Sequence, residues 1–577
     1  MSEQIKITIV TCDEKLNIKS IPKDGSTIIV THDSSVTIMS TLLKNGLISG
    51  SFCGGRGDCG RCKIQFIEGV TMPTPLERSV MEPEELRQGY RLACLAKPKD
   101  DCVIRLALTD APEIAIVSDM MAVTGKSDQS GQLNERTKKR ESDVTESEHK
   151  RAGIYPDNVK ESGVIKTDDI QSCDIQAGNK FINMDYKETL IAVDLGTTTI
   201  AMQLVDMEKG RIIDTYCEMN PQRRYGSDVL SRIKASCDGN RETLQRIVVQ
   251  VLERGIAQFK KCLAGTKADI CAMCIAGNTT MGHLLMGYDV SSLGKSPFMP
   301  VENGLREFGD SGFPFPVWLV PGISAFVGGD IVAGLYALGL LPKMQRDSSR
   351  KQDEDSNVNH VSNVNHVENG NDTTAILIDL GTNGEMVITD GTNTIATATA
   401  AGPAFEGGAG AGVVGSDMIA CAASLLKQGI MDETGLLTEP YFTEGIIVGE
   451  PAVRLCNKDI RDLQMAKAAV RGGIEILWQK MGGPERLHVY LAGGFGYYLD
   501  VEAAFSIGLL PARMRGHVEA AGNTSLAGAY MIGRDLWRRK ADKELFERSL
   551  SSITKMNLAE QGEFEKLYLH YMNLCED

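Results

Sequence analysis

The chain has 577 residues, a formal net charge of −15, and 42% apolar residues. This acidic balance argues against nucleic acid and anionic membrane surfaces as partners, since both attract excess positive charge. No stretch approaches the 18 or more consecutive apolar residues of a transmembrane helix, and the first residues lack the pattern of a secretion signal. The 15 cysteines of a chain without such a signal predict a cytoplasmic protein whose thiols bind metal or are buried.

Residues 1–118 are predicted to form a small α+β domain. Apolar and polar residues alternate from Ile5 to Ile9, which is typical of a half-buried strand, and a second strand centred on Ile18 completes a hairpin. A short helix with apolar residues between Val36 and Leu43 follows.

Four cysteines of this region have the arrangement of a 2Fe–2S site. Cys53, Cys59 and Cys62 follow a C-x5-C-x2-C spacing, and Cys94 lies further along the chain. The interleaved glycines permit unusual backbone angles, so that amides can donate to the cluster sulfurs. A structural zinc site is the alternative, but it favours two closely spaced pairs and only Cys59 and Cys62 form one. Cys102 is the rival for the fourth ligand.

The cysteine spacing and its glycines resemble those of the 2Fe–2S ferredoxin family, which has the β-grasp fold. The resemblance covers residues 1–110, and the five-residue first spacer is nearer to the adrenodoxin type than to the plant type. It implies that this region carries single electrons.

Two segments are predicted to lie outside the folded domains. Residues 119–186 are rich in Lys, Glu, Ser and Asp and predict a flexible linker. Residues 343–374 are polar and contain a short repeat with His360 and His366, for which a solvated, disordered insertion is favoured over metal binding.

Residues 187–577 alternate strand-like and helix-like runs, and they contain an internal repeat. The strand and turn at 190–199 recur at 375–384, each with an Asp followed by a Gly-Thr turn. A second pair, Ala-Gly-Asn-Thr, occurs at 276–279 and 521–524. The two pairs predict two similar lobes with a nucleotide bound between them.

The residue types of the repeat fit a nucleotide site. Asp194 and Asp379, at strand ends, can coordinate Mg²⁺ through water and orient an attacking water. Tight turns can hold phosphates through backbone amides and hydroxyls. The candidate phosphate ligands are Gly196, Thr197, Thr198, Gly381, Thr382 and Asn383. The candidate residues against the adenosine are Gly493, Gly494 and Gly496, which follow the strand 487–491.

These three motifs, in this order, resemble the phosphate-1, phosphate-2 and adenosine motifs of the actin–hexokinase–heat-shock-chaperone ATPase superfamily. The resemblance covers residues 187–540, and residues 540–577 are predicted to form a helical tail. It implies a two-lobed, actin-like α/β ATPase domain with ATP and Mg²⁺ as cofactors.

Three further features lie near these motifs. The glycines at 410, 412 and 415 satisfy G-x-G-x-x-G, but no strand precedes them, so a dinucleotide site is not predicted. Glu406 is a candidate water-positioning base. Asp330 faces the cleft or caps the helix after it.

An electron-carrying domain joined to such an ATPase resembles the reductive activators of corrinoid proteins. The segments Pro73–Glu77 and Asn220–Gly226 contribute to this resemblance. It implies one-electron reduction of Co(II) to Co(I) on a corrinoid-binding methyltransferase subunit, driven by ATP hydrolysis. It further implies an upstream low-potential electron donor and a homodimer.

Two other functions stay open from the sequence. The first is a small-molecule kinase of the same superfamily with an accessory cluster. The second is an electron carrier that binds nucleotide without hydrolysing it.

Overall fold

The structure is a computed structural model that describes most of the chain. The described residues are 4–10, 27–44, 62–81, 83–106, 187–226, 228–308, 312–342, 374–381, 383–402, 415–448, 453–493, 496 and 499–576. The predicted linker 119–186, Ile18, and residues 343–373 of the predicted insertion lie outside them. Across these ranges, no helix combines the length and the apolar character needed to cross a membrane.

The N-terminal region forms a five-stranded mixed sheet with three short helices. The first and last strands pair in parallel, and all other neighbours pair antiparallel in the order β2-β1-β5-β3-β4. This arrangement confirms the predicted β-grasp fold. The strands are β1 Gln4–Val10, β2 Thr27–Asp33, β3 Lys63–Glu68, β4 Tyr90–Leu92 and β5 Cys102–Leu106, and the helices are α1 Ile38–Lys44, α2 Pro75–Val80 and α3 Pro83–Arg87.

The alternation seen in the sequence explains the core of this sheet. Ile5, Ile7 and Ile9 of β1 are buried, and Ile7 and Ile9 share a core cluster with Ile38 and Leu42 of α1. Because side chains of a strand alternate between faces, every second residue of β1 reaches this core.

The contacts of the chain divide it into two compact units: the described residues up to 106 and those of 187–330 belong to one, and the described residues from 331 onward belong to the other. We call the described residues 187–330 lobe I and those from 331 to 576 lobe II.

Lobe I is built on a six-stranded sheet in the order β10-β11-β9-β6-β7-β8. The strands β6, β7 and β8 form an antiparallel meander, whereas β9 is parallel to β6 and β11 is parallel to β9. The strands are β6 Glu188–Leu195, β7 Thr199–Asp206, β8 Ile212–Met219, β9 Asp269–Gly277, β10 Arg306–Glu307 and β11 Val317–Leu319. The helices are α4 Val229–Ala235, α5 Arg241–Leu263, α6 Thr279–Leu285 and α7 Gly329–Ala337, the last of which continues into lobe II.

Lobe II contains a second six-stranded sheet, in the order β18-β17-β12-β13-β14-β19. Here β12, β13 and β14 form the meander, and β17 and β18 follow in parallel. The strands are β12 Thr374–Leu380, β13 Gly384–Thr389, β14 Thr394–Thr399, β15 Ile446–Val448, β16 Val453–Leu455, β17 Leu487–Ala492, β18 Val518–Gly522 and β19 Thr554–Lys555. The helices are α8 Gly415–Lys427, α9 Tyr441–Glu444, α10 Asn457–Lys480, α11 Val501–Ser506, α12 Thr524–Trp537, α13 Lys543–Ser551 and α14 Phe564–His570.

The two lobes therefore repeat one pattern, a meander followed by two parallel strands, and the predicted pair of similar lobes is confirmed. The second sequence pair does not mark equivalent positions, however. Asn278 follows β9, which lies beside the first strand of its meander, whereas Asn523 follows β18, which lies one strand further out. In lobe II the position equivalent to Asn278 is occupied by Gly493, which follows β17. The shared Ala-Gly-Asn-Thr reflects a common helix start, since each Asn side chain caps the helix that follows it.

Two predictions for lobe II, one boundary and the structure of the C-terminal tail, need correction. Thr374, assigned to the insertion, is the first residue of β12. The C-terminal tail is not purely helical, because Thr554 and Lys555 form β19, which pairs with β14 and extends the sheet. Phe546 and Leu550 of α13 are buried.

Candidate cluster-binding and nucleotide-binding sites

The structure brings together two of the four predicted cluster ligands. Cys62 lies immediately before β3 and Cys94 lies two residues after β4, and the register pairs Lys63 with Leu92. Ala93 N donates to Cys62 O at 2.8 Å, and the two Sγ atoms are 3.2 Å apart. This separation far exceeds the roughly 2.05 Å of a disulfide bond. Two buried sulfur ligands thus converge at one edge of the sheet.

The turn that carries Cys94 is fixed by hydrogen bonds from three directions. Besides the bond to Cys62, Met39 N donates to Ala93 O at 2.8 Å and Ile38 N donates to Ala96 O at 2.9 Å. On the third side, the Glu77 Oε1 atom accepts from Leu92 N at 2.8 Å.

Glu77 helps to fix the turn that carries Cys94, a role that the sequence analysis did not assign to it. Its carboxylate is buried, and its Oε2 atom also accepts from Thr74 N at 2.7 Å, while Thr74 Oγ1 accepts from Glu77 N. This is a capping box at the start of α2. The signal was present in the sequence as Thr-x-x-Glu at 74–77, but its link to Cys94 depends on the tertiary structure.

Cys102, the rival fourth ligand, lies elsewhere. Its Cβ atom packs beside Gly69, which follows the far end of β3. With strands rising ~3.3 Å per residue, that end is about 20 Å from Cys62. Burial, with a smaller contribution from the Asp101 charge, raises the pKa of the Cys102 thiol to about 11, which disfavours the thiolate that a cluster needs.

The donor set fits an iron–sulfur cluster. Thiolate sulfurs are the ligands of such clusters, and Cys62 and Cys94 present two of them from one buried edge. Within the described residues, no group of three or more His, Cys, Asp or Glu side chains is placed to hold a metal ion. Cys53 and Cys59 lie outside those residues.

In lobe I, Asp194 lies near the end of β6. Residues 194–198, which include this strand end and the tight turn after it, are called the phosphate-1 turn. A Cβ atom at Gly196 would lie 2.6 Å from Thr199 O, so the turn requires glycine there. The buried Thr197 Oγ1 accepts from Asn278 Nδ2 at 2.8 Å. Burial, and secondarily the charge of Asp194, raises the pKa of Cys217 on β8 to about 12.

In lobe II, the structure brings Asp379 next to the predicted adenosine motif. Asp379 on β12 pairs with Ala492 on β17, and Gly493 follows directly. Gly493 has φ +78°, and a Cβ atom there would lie 2.4 Å from Asp379 Oδ1. Gly381 N donates to Asn383 O at 2.9 Å and closes the turn after β12.

The remaining candidates have mixed outcomes. A Cβ atom at Gly496 would lie 3.2 Å from the backbone carbonyl carbon of Leu491, so a side chain there would be crowded. Asp330 lies inside the first turn of α7 and not at its cap. Gly415 begins α8. Thr382, Gly494 and Glu406 lie outside the described residues, as do the glycines at 410 and 412.

Comparison with known proteins agrees with this division of the chain. The family model for the 2Fe–2S iron-sulfur cluster binding domain matches residues 21–99. The model for the RACo middle region matches 190–343, and the model for the C-terminal domain of RACo, the ASKHA domain, matches 373–411 and 408–577.

Individual relatives support the same organisation. The corrinoid activation enzyme RamQ of Eubacterium limosum is 27% identical over 435 residues, which is 63% of this chain and 68% of that protein. One component of the Na⁺-translocating NADH-quinone reductase of Chlamydia caviae is 28% identical over 106 residues, which is 18% of this chain and 23% of that component.

A solved structure has the same fold over almost the whole length. The reductive activator for corrinoid, iron-sulfur protein superposes with a TM-score of 0.56 at 23% identity, covering 99% of this chain and 98% of its own. With a 2Fe–2S domain followed by both RACo regions in order, the chain belongs to the family of reductive activators of corrinoid proteins.

Proposed function

We propose that this protein reduces the Co(II) corrinoid of a methyltransferase subunit to Co(I) by one electron, and that ATP hydrolysis drives the transfer. The observation that carries the proposal is the convergence of Cys62 and Cys94 at 3.2 Å in a ferredoxin-type sheet that shares one chain with an ASKHA domain. Electron carriage and nucleotide chemistry are both needed for an uphill reduction.

The cluster is proposed to be held by Cys53, Cys59, Cys62 and Cys94. When bound, the 2Fe–2S cluster supplies the single electron. The chain's own contribution is to fix the Cys94 turn through Cys62 and Glu77 and to bury both cysteines from water. Backbone that is fixed in this way changes little between redox states, which favours fast transfer.

ATP is proposed to bind through both lobes, with one Asp in each contacting the hydrated Mg²⁺. Asp194 and Asp379 occupy the same position in the two sheets, near the end of the first strand of each meander. Each is followed by a glycine turn whose amides and hydroxyls suit phosphate oxygens. The close approach of Gly493 to Asp379 leaves flat backbone where a base can stack.

Coupling requires an element with two states that contact the partner differently. An ATPase domain provides such an element when ATP and ADP stabilise different conformations of it. An upstream low-potential donor returns the electron to the protein. The homodimer and the cytoplasmic location stay predictions.

The proposal is tested by anaerobic absorbance spectroscopy of a Co(II) corrinoid protein with this protein, a low-potential reductant and Mg-ATP. The Co(I) band is expected only when ATP is present. Cys94→Ala should abolish it, whereas Cys102→Ala, the matched change of a buried cysteine about 20 Å from Cys62, should leave it intact.

Three results would contradict the proposal. Co(I) formation that is equally fast without ATP would show that the electron transfer does not depend on ATP hydrolysis. ADP release with a small hydroxyl-bearing metabolite and no corrinoid protein would favour the kinase function. Nucleotide binding without any turnover, with the partner present, would favour the non-hydrolysing carrier.

A further inference from the structure

The segment that follows β8 has no part in the function described so far, yet it contains three buried polar side chains. Asn220, Gln222 and Arg232 are each at most 1% exposed. We call the described residues 220–226 and 228–232 the cradle segment. It lies against the phosphate-1 turn of the same lobe.

Three successive carbonyls of the phosphate-1 turn accept hydrogen bonds from this segment. Gly196 O accepts from Asn220 Nδ2 at 2.9 Å, Thr197 O accepts from Arg232 Nη2, and Thr198 O accepts from Asn220 N at 2.8 Å. In a trans peptide the N–H points away from the C=O of the preceding residue. The N–H groups of Thr197 and Thr198 are therefore directed away from the cradle segment.

Arg232 is held in place by contacts along its whole guanidinium. Its Nε donates to Gly226 O at 2.9 Å, and its Nη1 lies 3.3 Å from Gln222 Oε1 and 3.0 Å from Met281 Sδ. Gly226 is required there, because a Cβ atom would lie 2.3 Å from Ser231 Cβ. Together these contacts fix the direction of the guanidinium.

A guanidinium is charged at any ordinary pH, and charges interact strongly where water is excluded. The positive charge of Arg232 is directly behind the backbone of the turn. An anion on the opposite side of the turn is attracted both by the oriented amides and by this charge.

We propose that Asn220 and Arg232 are positioning residues for nucleotide phosphates, and that Arg232 makes the site discriminate between nucleoside polyphosphates and uncharged nucleosides. Their hydrogen bonds hold the carbonyls of the phosphate-1 turn on the side away from the ligand, so that the amides of the turn face the phosphates. This inference rests on the proposed function, because it assumes that ATP binds at this turn.

The test is to measure the affinity of the full chain for Mg-ATP and for adenosine, by competition against a fluorescent ATP analogue. For Arg232→Gln, the Kd for Mg-ATP is expected to rise at least about tenfold, while that for adenosine changes less than about twofold. The Kd of Arg232→Lys for Mg-ATP should lie between those of the wild type and Arg232→Gln, since lysine keeps the charge but lacks the planar guanidinium. The control is Arg254→Gln, which removes an exposed ion pair with Glu218 in the same lobe and should leave both affinities unchanged.

A second variant tests the cradle without removing the buried charge. Asn220→Asp keeps the side-chain oxygen that caps Gln222 N but loses the donor to Gly196 O, and its Kd for Mg-ATP should also rise at least about tenfold. ATP affinity at the wild-type level in both variants would overturn this inference alone. An equal loss of ATP and adenosine affinity would overturn the discrimination assigned to Arg232. A wild-type chain that binds no ATP would overturn the proposed function as well.

Discussion

The two lobes share an order of five strands, a meander and two parallel strands, but differ at the position beside the catalytic candidate. In lobe I the strand next to the first meander strand is followed by Asn278, whose side-chain amide donates to Thr197 of the phosphate-1 turn. In lobe II the equivalent strand is followed by Gly493, which leaves no room for a Cβ atom beside Asp379. In lobe I the Asn278 side chain holds the turn by a hydrogen bond, whereas in lobe II the absence of a side chain at Gly493 lets the backbone lie beside Asp379.

This difference teaches that one scaffold position can serve two roles in the proposed nucleotide function. The phosphate-1 turn of lobe I is proposed to need a fixed orientation, which hydrogen bonds supply. The loop after β17 in lobe II is proposed to need space for a flat ligand, which glycine supplies. The following predictions test how far the two lobes are equivalent, from the largest expected effect to the smallest.

Asp194→Asn and Asp379→Asn should each lower the rate of ATP turnover by about 100-fold or more, because each removes a charge proposed to act on the Mg-nucleotide. The measurement is steady-state ADP release with the corrinoid partner present. If one variant retained its activity, the chemistry would belong to the other lobe alone, and the equivalence of the two strand ends would be broken.

Gly493→Ala should weaken ATP binding about tenfold and cost about 1–3 kcal/mol of unfolding free energy, since it combines an unfavourable φ with a contact at 2.4 Å to Asp379. Gly482→Ala is the matched control, because Gly482 has φ +83° but open space around its Cβ position. It should cost about 1 kcal/mol and leave ATP affinity unchanged. Equal effects in both variants would assign the role of Gly493 to backbone conformation alone.

His283 of α6 makes the stability of lobe I depend on pH. Burial lowers the pKa of this histidine to about 4, and its Nδ1 lies 2.7 Å from Thr279 O. Because the folded pKa lies below the unfolded value, the unfolded state takes up the proton first as the pH falls. The unfolding free energy should therefore fall between about pH 6.5 and pH 4, by at most about 1.4 kcal/mol per pH unit.

Denaturant titrations at several pH values check this dependence on His283. The slope over that window should be smaller in His283→Gln than in the wild type. An unchanged slope would show that other groups govern the acid lability of the lobe.

Asn278→Ala and Asn523→Ala should each cost about 1 kcal/mol of unfolding free energy, since each removes a helix cap. Only Asn278→Ala should also weaken ATP binding, because its Nδ2 atom donates to Thr197. Denaturation and ATP titration of both variants measure the two effects. A loss of ATP affinity in Asn523→Ala as well would show that the two caps serve the site alike.

The local sequence was sufficient for the strands that carry the site. Unbroken apolar runs ending in Asp predicted β6 and β12, and the C-x5-C-x2-C spacing predicted the 2Fe–2S domain, because each pattern depends on near neighbours in the chain. The prediction that the Ala-Gly-Asn-Thr pair marks equivalent positions in the two lobes was wrong, since a capped helix start has the same sequence whichever strand it follows. The strand order that separates Asn278 from Asn523 is a property of long-range pairing.

The sequence by itself determined the domain types, the family resemblance and the residues at the strand ends. Only the tertiary structure decided that Cys94 and not Cys102 lies beside Cys62, that Glu77 fixes the Cys94 turn, and that Arg232 lies behind the phosphate-1 turn. Each of these contacts joins residues 15 to 35 positions apart. Periodicity and spacing report on neighbours within a few residues, whereas these contacts are set by strand register and by the burial of polar groups that must find partners.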